Sequence, residues 1–371
     1  MDDGVRARQV AAMEQFDLDA LVAYSKENVI YGAGYPVPSQ ILGIHSRQFS
    51  VVANRDGKAA MLLTTNELPE ARTRSTLQDF RPYDEFADDP METLAATIRD
   101  LGAGKGRIGL EMDAIPASWW ERLRPMLPEA AWVNAATAFD FARRVKSPRE
   151  LDLLRASARA ADRAQVQAHA HFHAGMTERD FFLLLVDGVF SNGGEGITMI
   201  QVAAGERSTF SNPTPSDRVI EDGDVVKIDI FATTGGYLSD TGRSVFVGGV
   251  SPDHRRTWDA MEETLLAIYE IVRPGISTAD IWQKFVSEFR AHAMEPVIRF
   301  LGHGLGLGLH EEPFIASHTD VELEAGMVFA IEPVYRLGDL GFHLEDNVIV
   351  TEDGIENMTA LVGQGPIVVG A

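Results

Sequence analysis

The sequence predicts a two-domain protein of the α/β (α+β) class whose second domain is an internally duplicated α-plus-β unit. Three observations carry this. The 371 residues suit two domains at about 150 residues each. The first 140 residues alternate between helical and strand-like patterns. The second half repeats itself. AGMTERD (Ala174–Asp180) and PGISTAD (Pro274–Asp280) each offer a glycine, then Thr177 or Ser277 where an N-cap belongs, then an amphipathic run. GDVVKID (Gly223–Asp229) and GMVFAIE (Gly326–Glu332) each offer a glycine and a β-rich run ending in a carboxylate. Gly175 and Gly275 are 100 residues apart, and Gly223 and Gly326 are 103 apart. A shared offset places Asp229 and Glu332 at equivalent positions in two halves of one sheet.

In chain order, Val5–Phe16 has helical apolar spacing and Leu21–Tyr24 reads as a short strand. Gln48–Asn54 and Ala59–Thr64 flank Arg55–Lys58 and read as a hairpin. Arg107–Glu111 is a further strand. Pro148 opens a helix through Leu151–Gln167, because proline suits a first helical turn. These features put the boundary at 145, giving domains 1–145 and 146–371.

Composition excludes several classes. There are 33 basic and 55 acidic residues, a net charge of −22. That field opposes nucleic acid and anionic membranes. With no cysteine, disulfides, thiolate nucleophiles and iron–sulfur clusters are out, and any metal must be held by oxygen and imidazole. No apolar h-region follows MDDGVRAR, and the longest apolar run, Phe181–Val186, is far short of the roughly 20 residues of a membrane span. The expectation is a soluble, cytoplasmic protein.

The chemistry gathers in the second half. Asp229 lies among Val225, Val226, Ile228 and Ile230. A carboxylate in so apolar a run is paired, to Lys227 or an arginine, or it binds a cation. Asp240 follows eleven residues on, past Gly235 and Gly236, at a distance where a hairpin returns it beside Asp229. Two close carboxylates repel, and cations resolve the conflict. Glu332 and Glu345 repeat the arrangement thirteen residues apart. Between the pairs, LGHGLGLGLHEEP (Leu301–Pro313) carries His303 and His310 seven residues apart among alternating glycines. The glycine spacing is not that of a dinucleotide fingerprint; glycine in a strand admits close approach of another backbone or a ligand. Four carboxylates and an imidazole suit two divalent ions of the manganese, cobalt or zinc type. Such a pair activates a water and polarises a carbonyl, a hydrolase arrangement. His169, His171 and His173 form a second histidine run, read as the end of a surface helix.

At these residues the sequence resembles the pita-bread metallopeptidase family, which includes prolidase, aminopeptidase P and the related creatinase. RARQVAAMEQFDLDALVAYSKENVIYGAGY is similar to the start of a creatinase-type N-terminal domain, and RRVKSPRELDLLRASARAADRA to the entry of the catalytic domain. IDIFATTGGYLSDTGRS, GHGLGLGLHEEP, AIEP and LEDNVIVTEDG resemble the family's metal and catalytic motifs. The resemblance implies a small α/β domain before a pita-bread domain with pseudo-twofold duplication and a curved antiparallel sheet. It implies two divalent ions per chain, Mn²⁺ first and Co²⁺ or Zn²⁺ as alternatives, and a homodimer. Asp229 would bind one ion, His303 and Glu332 the other, and Asp240 and Glu345 would bridge them. Glu332 would also be the general base. His310 would stabilise the oxyanion or carry a proton to the leaving nitrogen.

Three positions depart from the family pattern. Asn212 stands where prolidases have a histidine before the first aspartate, Arg299 replaces a histidine four residues before His303, and His343 replaces an arginine two residues before Glu345. All three are expected on the substrate side, with Arg299 a candidate clamp for a substrate carboxylate. The expected activity is hydrolysis of a C–N bond in a small peptide or amide, as by a Xaa-Pro dipeptidase or aminopeptidase. The alternatives are a creatinase-like or cyclic-amidine hydrolase and a non-catalytic binding protein on the same fold.

Overall fold

Local sequence signals place the elements of the computed structural model, which describes residues 2–173, 175–360 and 365–370. Contacts divide it into two compact units, 1–143 and 144–371. In the first, a helix at Asp3–Gln15, capped by the Asp2 side chain, precedes strand β1 (Ala20–Ala23). Strands β2 (Ser50–Asn54) and β3 (Ala59–Thr64) pair antiparallel. With β4 (Asp79–Tyr83), β5 (Arg107–Leu110) and β6 (Ala131–Asn134) they form a six-stranded mixed sheet ordered β4-β3-β2-β1-β5-β6.

The second unit opens on a helix at Pro148–His171. Ser147 and Glu150 close a capping box around Pro148 at the first turn, which fixes where the helix starts. The repeat seen in the sequence is structural. The helices Glu178–Ser191 and Thr278–Ala291 have 14 residues each and open on the capping boxes Thr177/Asp180 and Ser277/Asp280. Ala174, the first residue of the first repeat motif, lies outside the described residues. The first half builds a sheet from β7 (Gly196–Ala204), β8 (Val225–Thr234), β9 (Tyr237–Leu238) and β10 (Thr241–Val247). The second half builds one from β11 (Phe300–Gly304), β12 (Glu311–Ala316), β13 (Val328–Ile331), β16 (Asp346–Val350) and β17 (Ile355–Asn357), with β14 (Val334–Leu337) and β15 (Leu340–His343) forming a separate ribbon. A last strand, β18 (Ile367–Val369), joins the first sheet beside β10. Each half has its own core. Phe181, Leu185, Val202 and Ile228 belong to one, and Phe285, Phe289, Leu301 and Phe329 to the other.

Two expectations need correction. The halves do not share one continuous sheet. Strand β18 pairs with β10 only at 245–247. The start of β10 instead meets the second half through the isolated bridge Arg243–Leu344 and the bond from Glu345 N–H to the Gly242 carbonyl, 2.9 Å. The carboxylate pairs also do not sit on simple hairpins. Strands β8 and β10 pair around the short β9, and β13 and β16 pair around the inserted β14–β15 ribbon. In both ladders the strands are antiparallel: Asp229, in the middle of β8, lies opposite Gly242 with Asp240 just before β10, and Glu332 and Glu345 flank the paired residues Ile331 and Asp346.

The glycines of the His303 motif do what close packing demands. A Cβ on Gly302 would lie 2.3 Å from the Ala330 carbonyl oxygen of the paired strand. A backbone atom held in a ladder cannot move aside. Gly302→Ala is therefore expected to cost about 1–3 kcal/mol, seen as a lowered denaturation midpoint; an unchanged midpoint would refute the packing account.

Candidate active site

Strand periodicity assembles the site. On β8, Lys227, Asp229 and Phe231 alternate onto one face and all line a cavity of about 410 Å³. Asp240 precedes β10, where its backbone is held by both ends of the buried Asn347 amide: its N–H donates to Asn347 Oδ1 at 3.0 Å, and Asn347 Nδ2 donates to its carbonyl. From the other half, His303 projects from β11, Glu332 follows β13 and Glu345 precedes β16. The Glu332 N–H donates to the Leu301 carbonyl at 2.8 Å. These backbone bonds fix the ligand-bearing ends without consuming the side chains.

The side chains converge. His303 Nε2 is 3.3 Å from Asp240 Oδ2 and 3.5 Å from Glu332 Oε1. His343 Nε2 is 3.5 Å from Glu332 Oε2 and 3.6 Å from Glu345 Oε2. Three sets have donor atoms within 4.8 Å of one another: Asp240, His303 and His310; Asp229, His343 and Glu345; and His303, Glu332 and Glu345. Asp229, Asp240, His303, His343 and Glu345 are all buried.

So much buried negative charge distorts the acid–base balance. Burial, reinforced by the Asp229 charge, pushes Asp240 up to about 8. Burial and the surrounding carboxylates raise Glu345, and burial raises Asp229. Burial opposes ionisation of Glu332 as well, but contacts with His303 and His343 outweigh it and lower it to about 2. Burial likewise disfavours charge on His303, yet Asp240 and Glu332 carry it up to about 10. Without a counter-cation the four carboxylates cannot all be ionised together.

The polar atoms left over show what the site is built to hold. Asp229 Oδ1, Glu345 Oε2, His303 Nε2 and both ring nitrogens of His343 are buried without a hydrogen-bond partner. Buried polar atoms are ordinarily satisfied. Unpaired carboxylate oxygens and imidazole nitrogens facing one another fit divalent cations, so the residues present fit the implied metal pair.

His310 stacks on His303, with ring centroids 3.9 Å apart and planes inclined by 18°. Partial burial and the His303 charge lower its proton affinity, which keeps the ring neutral at neutral pH. The glycine loop before it is pinned by Glu311, which accepts from Gly308 N–H at 2.8 Å and pairs with Lys146 at 3.1 Å.

The three departures from the family pattern separate here. Asn212 lines the cavity and accepts from Gln201 Nε2 at 3.1 Å. His343 also lines it, but its ring lies inside the carboxylate cluster. Arg299 is exposed and lies outside the lining, to which its neighbours Ile298 and Phe300 contribute. Among the described residues the basic side chains lining the cavity are Lys227 and Arg336. Lys227 donates to the carbonyls of Phe210 and Ser211 at 3.3 and 2.9 Å instead of pairing with Asp229. Sequence reasoning passed over Arg336 and Asn347. The two-residue step from Asp229 was a usable signal for Lys227 on the same face. His169 packs against the Phe181 ring at 6.2 Å, and its run forms no metal-holding group among the described residues.

Paired α-plus-β halves with four carboxylates and three imidazoles at one cavity define a metal-dependent hydrolase. Its family follows from comparison: residues 152–352 match Metallopeptidase family M24, and residues 6–145 match the Creatinase/Prolidase N-terminal domain. The chain belongs to that metallopeptidase family and is a metal-dependent peptidase. It is 34% identical over 368 residues to the probable dipeptidase PepE of Mycobacterium tuberculosis, covering 95% of this chain and 94% of the relative. To a Xaa-Pro dipeptidase of Lactobacillus helveticus it is 29% identical over 325 residues, 85% and 87% of the two chains. The crystal structure of dipeptidase PepE from Mycobacterium ulcerans superposes with a TM-score of 0.83 at 28% identity, covering 100% of this chain and 99% of that one. The fold is shared with an X-Pro aminopeptidase from Thermotoga maritima, TM-score 0.84 at 24% identity, covering 98% and 99%. Among the described residues no helix is long and apolar enough to cross a membrane.

Relief of carboxylate repulsion makes the folded state bind cations that the unfolded chain does not. Mn²⁺ at a hundredfold excess over its Kd is expected to add about 2.7 kcal/mol per site, raising Tm, and a chelator should reverse the gain. An identical Tm with Mn²⁺ and with chelator would contradict the site's architecture.

Proposed function

We propose that the chain is a Xaa-Pro dipeptidase that cleaves the peptide bond preceding proline in very short peptides. The observation that carries this is the cavity's two-sided chemistry. The carboxylate and imidazole cluster forms its floor. Phe210, Val297, Ile298, Phe300, Leu309 and Val334 line it with apolar surface suited to a pyrrolidine ring, and Lys227 and Arg336 supply positive charge for a free C-terminal carboxylate. Its volume of about 410 Å³ is at the small end of the roughly 300–1,000 Å³ range of small-ligand sites. The related dipeptidases support the same substrate class.

Asp229, Asp240, His303, Glu332 and Glu345 are the proposed holders of two divalent ions. Mn²⁺ is the proposed occupant and Co²⁺ or Zn²⁺ the substitutes, in keeping with an oxygen-rich donor set that includes imidazole. When bound, the pair supplies Lewis acidity for water activation and carbonyl polarisation. Glu332, ionised at neutral pH, accepts the proton of the attacking water. His310, neutral beside the cluster, donates a ring N–H hydrogen bond to the developing oxyanion or relays the proton taken up by Glu332 to the proline nitrogen as the C–N bond breaks. The apolar wall orients the proline ring and keeps bulk water from that side. Residues 1–145 and 146–371 are proposed as the N-terminal and catalytic domains, and the assembly as a homodimer, which light scattering tests.

Asp240→Ala and Glu345→Ala are each expected to abolish Xaa-Pro hydrolysis and lower the bound metal measured by elemental analysis. His310→Ala should keep both ions and lose roughly 10²–10⁴ in turnover, the usual worth of a positioned acid–base group. Two tightly held ions in either carboxylate variant, or a lost ion in the histidine variant, would reverse these role assignments.

The placement of the cations supports carboxylate recognition by Arg336, not by Arg299. Arg336→Ala should raise KM for a Xaa-Pro dipeptide far more than for its C-terminal amide, whereas Arg299→Ala should treat the two alike. The opposite pattern would restore Arg299 as the clamp.

A further inference from the structure

His343 is placed like a ligand. Its side chain is 3% exposed, and neither ring nitrogen has a hydrogen-bond partner. Strand β10 is shaped around the ring: a Cβ on Gly242 would lie 2.3, 2.4 and 2.8 Å from its Cε1, Nδ1 and Nε2. Any other residue at 242 would evict the imidazole. Its backbone N–H donates to Ser244 Oγ at 2.9 Å, fixing where the side chain departs.

The distances discriminate between two uses of the ring. An N–H···O hydrogen bond is about 2.9 Å long. The separations of 3.5 and 3.6 Å from Nε2 to Glu332 and Glu345 are too long for one. The 3.6 Å to Glu345 is close to the spacing of two donors that share a cation: with bonds of about 2.0–2.2 Å, neighbouring donors lie roughly 3–3.5 Å apart. Asp229, His343 and Glu345 bring donor atoms within 4.8 Å of one another. On the other side Asp240 meets His303, whose Nδ1 contacts the Gly304 carbonyl at 2.9 Å and leaves Nε2 facing the cluster.

We propose that His343 is a sixth protein ligand of the metal pair. Its Nε2 joins Asp229 and Glu345 on one ion, while His303 serves the other, so that each ion has one imidazole. This rests on the two-ion reading above. Imidazole on both ions favours Mn²⁺, Co²⁺ or Zn²⁺ over the hard, oxygen-seeking Mg²⁺. An imidazolium that merely neutralised Glu332 and Glu345 would act oppositely, competing with the cations.

The test is Mn²⁺ binding to the chelator-stripped full-length chain. Pulsed EPR of the wild type counts coordinated imidazole nitrogens without any substitution, and two distinct histidine nitrogens per pair are expected. Calorimetric titration of His343→Ala and His343→Gln should show the weaker ion lost or bound at least about tenfold less tightly, at the low end of what supporting groups of metal sites contribute. Circular dichroism in chelator should match the wild type. A single coordinated nitrogen, or variants that bind both ions as tightly as wild type or more tightly, would overturn the ligand role while leaving the two-ion reading intact. A wild-type chain that takes up fewer than two ions would overturn both.

Discussion

Repulsion among four clustered carboxylates, three of them buried, is the constraint on which the site depends. Asp229, Asp240, Glu332 and Glu345 crowd one cluster, and the raised proton affinities of Asp229, Asp240 and Glu345 measure the strain of holding them there, while His303 and His343 keep Glu332 low. A fold that retains such a cluster must hold the backbone beneath it rigidly. It must also leave the charged atoms free for something more positive than water.

The backbone support is a second polar layer behind the first. Arg243, buried, donates to the carbonyls of Gly242 and Glu345 and pairs with Asp346. Asp346 in turn accepts from Tyr269, Asn357 and Thr359 at 2.7, 2.8 and 2.9 Å. Burial resists ionisation of Asp346, and Arg243 overcomes it, holding that carboxyl below its usual range. A buried ion pair of this kind is seldom a net source of stability. Here it ties the start of β10 to the start of β16, the seam where the two halves meet. Asn347 performs the same service for Asp240, and the Lys146–Glu311 pair for the glycine loop before His310. Removing these supports would let the ligands spread before any of them was lost.

The duplication explains how one site draws on two cores. Each half packs its helices chiefly on its own sheet, with Val225 of β8 and Phe246 of β10 joining the second core. What remains between them is a gap bordered by strand ends. Strand ends are where side chains can leave the alternation of a buried ladder and face a cavity, and Asp240, Glu332 and Glu345 flank paired strands in this way, whereas Asp229 reaches the cavity from the middle of β8. The expectation of one continuous sheet failed because β18 occupies the last part of β10's edge.

Much was legible in the linear sequence because it follows from local rules. Hydrophobic runs ending in acids, glycines that admit a paired strand and the Thr177 and Ser277 caps each depend on neighbours a few residues away. These were enough for the fold class, the duplication and the clustering of Asp229, Asp240, His303, Glu332 and Glu345. Only the tertiary structure decided what depends on residues a hundred positions apart. Arg299 stands four residues before a ligand yet is exposed outside the cavity, and Arg336, outside every sequence motif, lines it. His343, expected on the substrate side, enters the cluster because Gly242, 101 residues earlier, leaves room for its ring. Spacing shows which residues share a strand face; the direction from which another strand crosses that face is set by packing of the two halves.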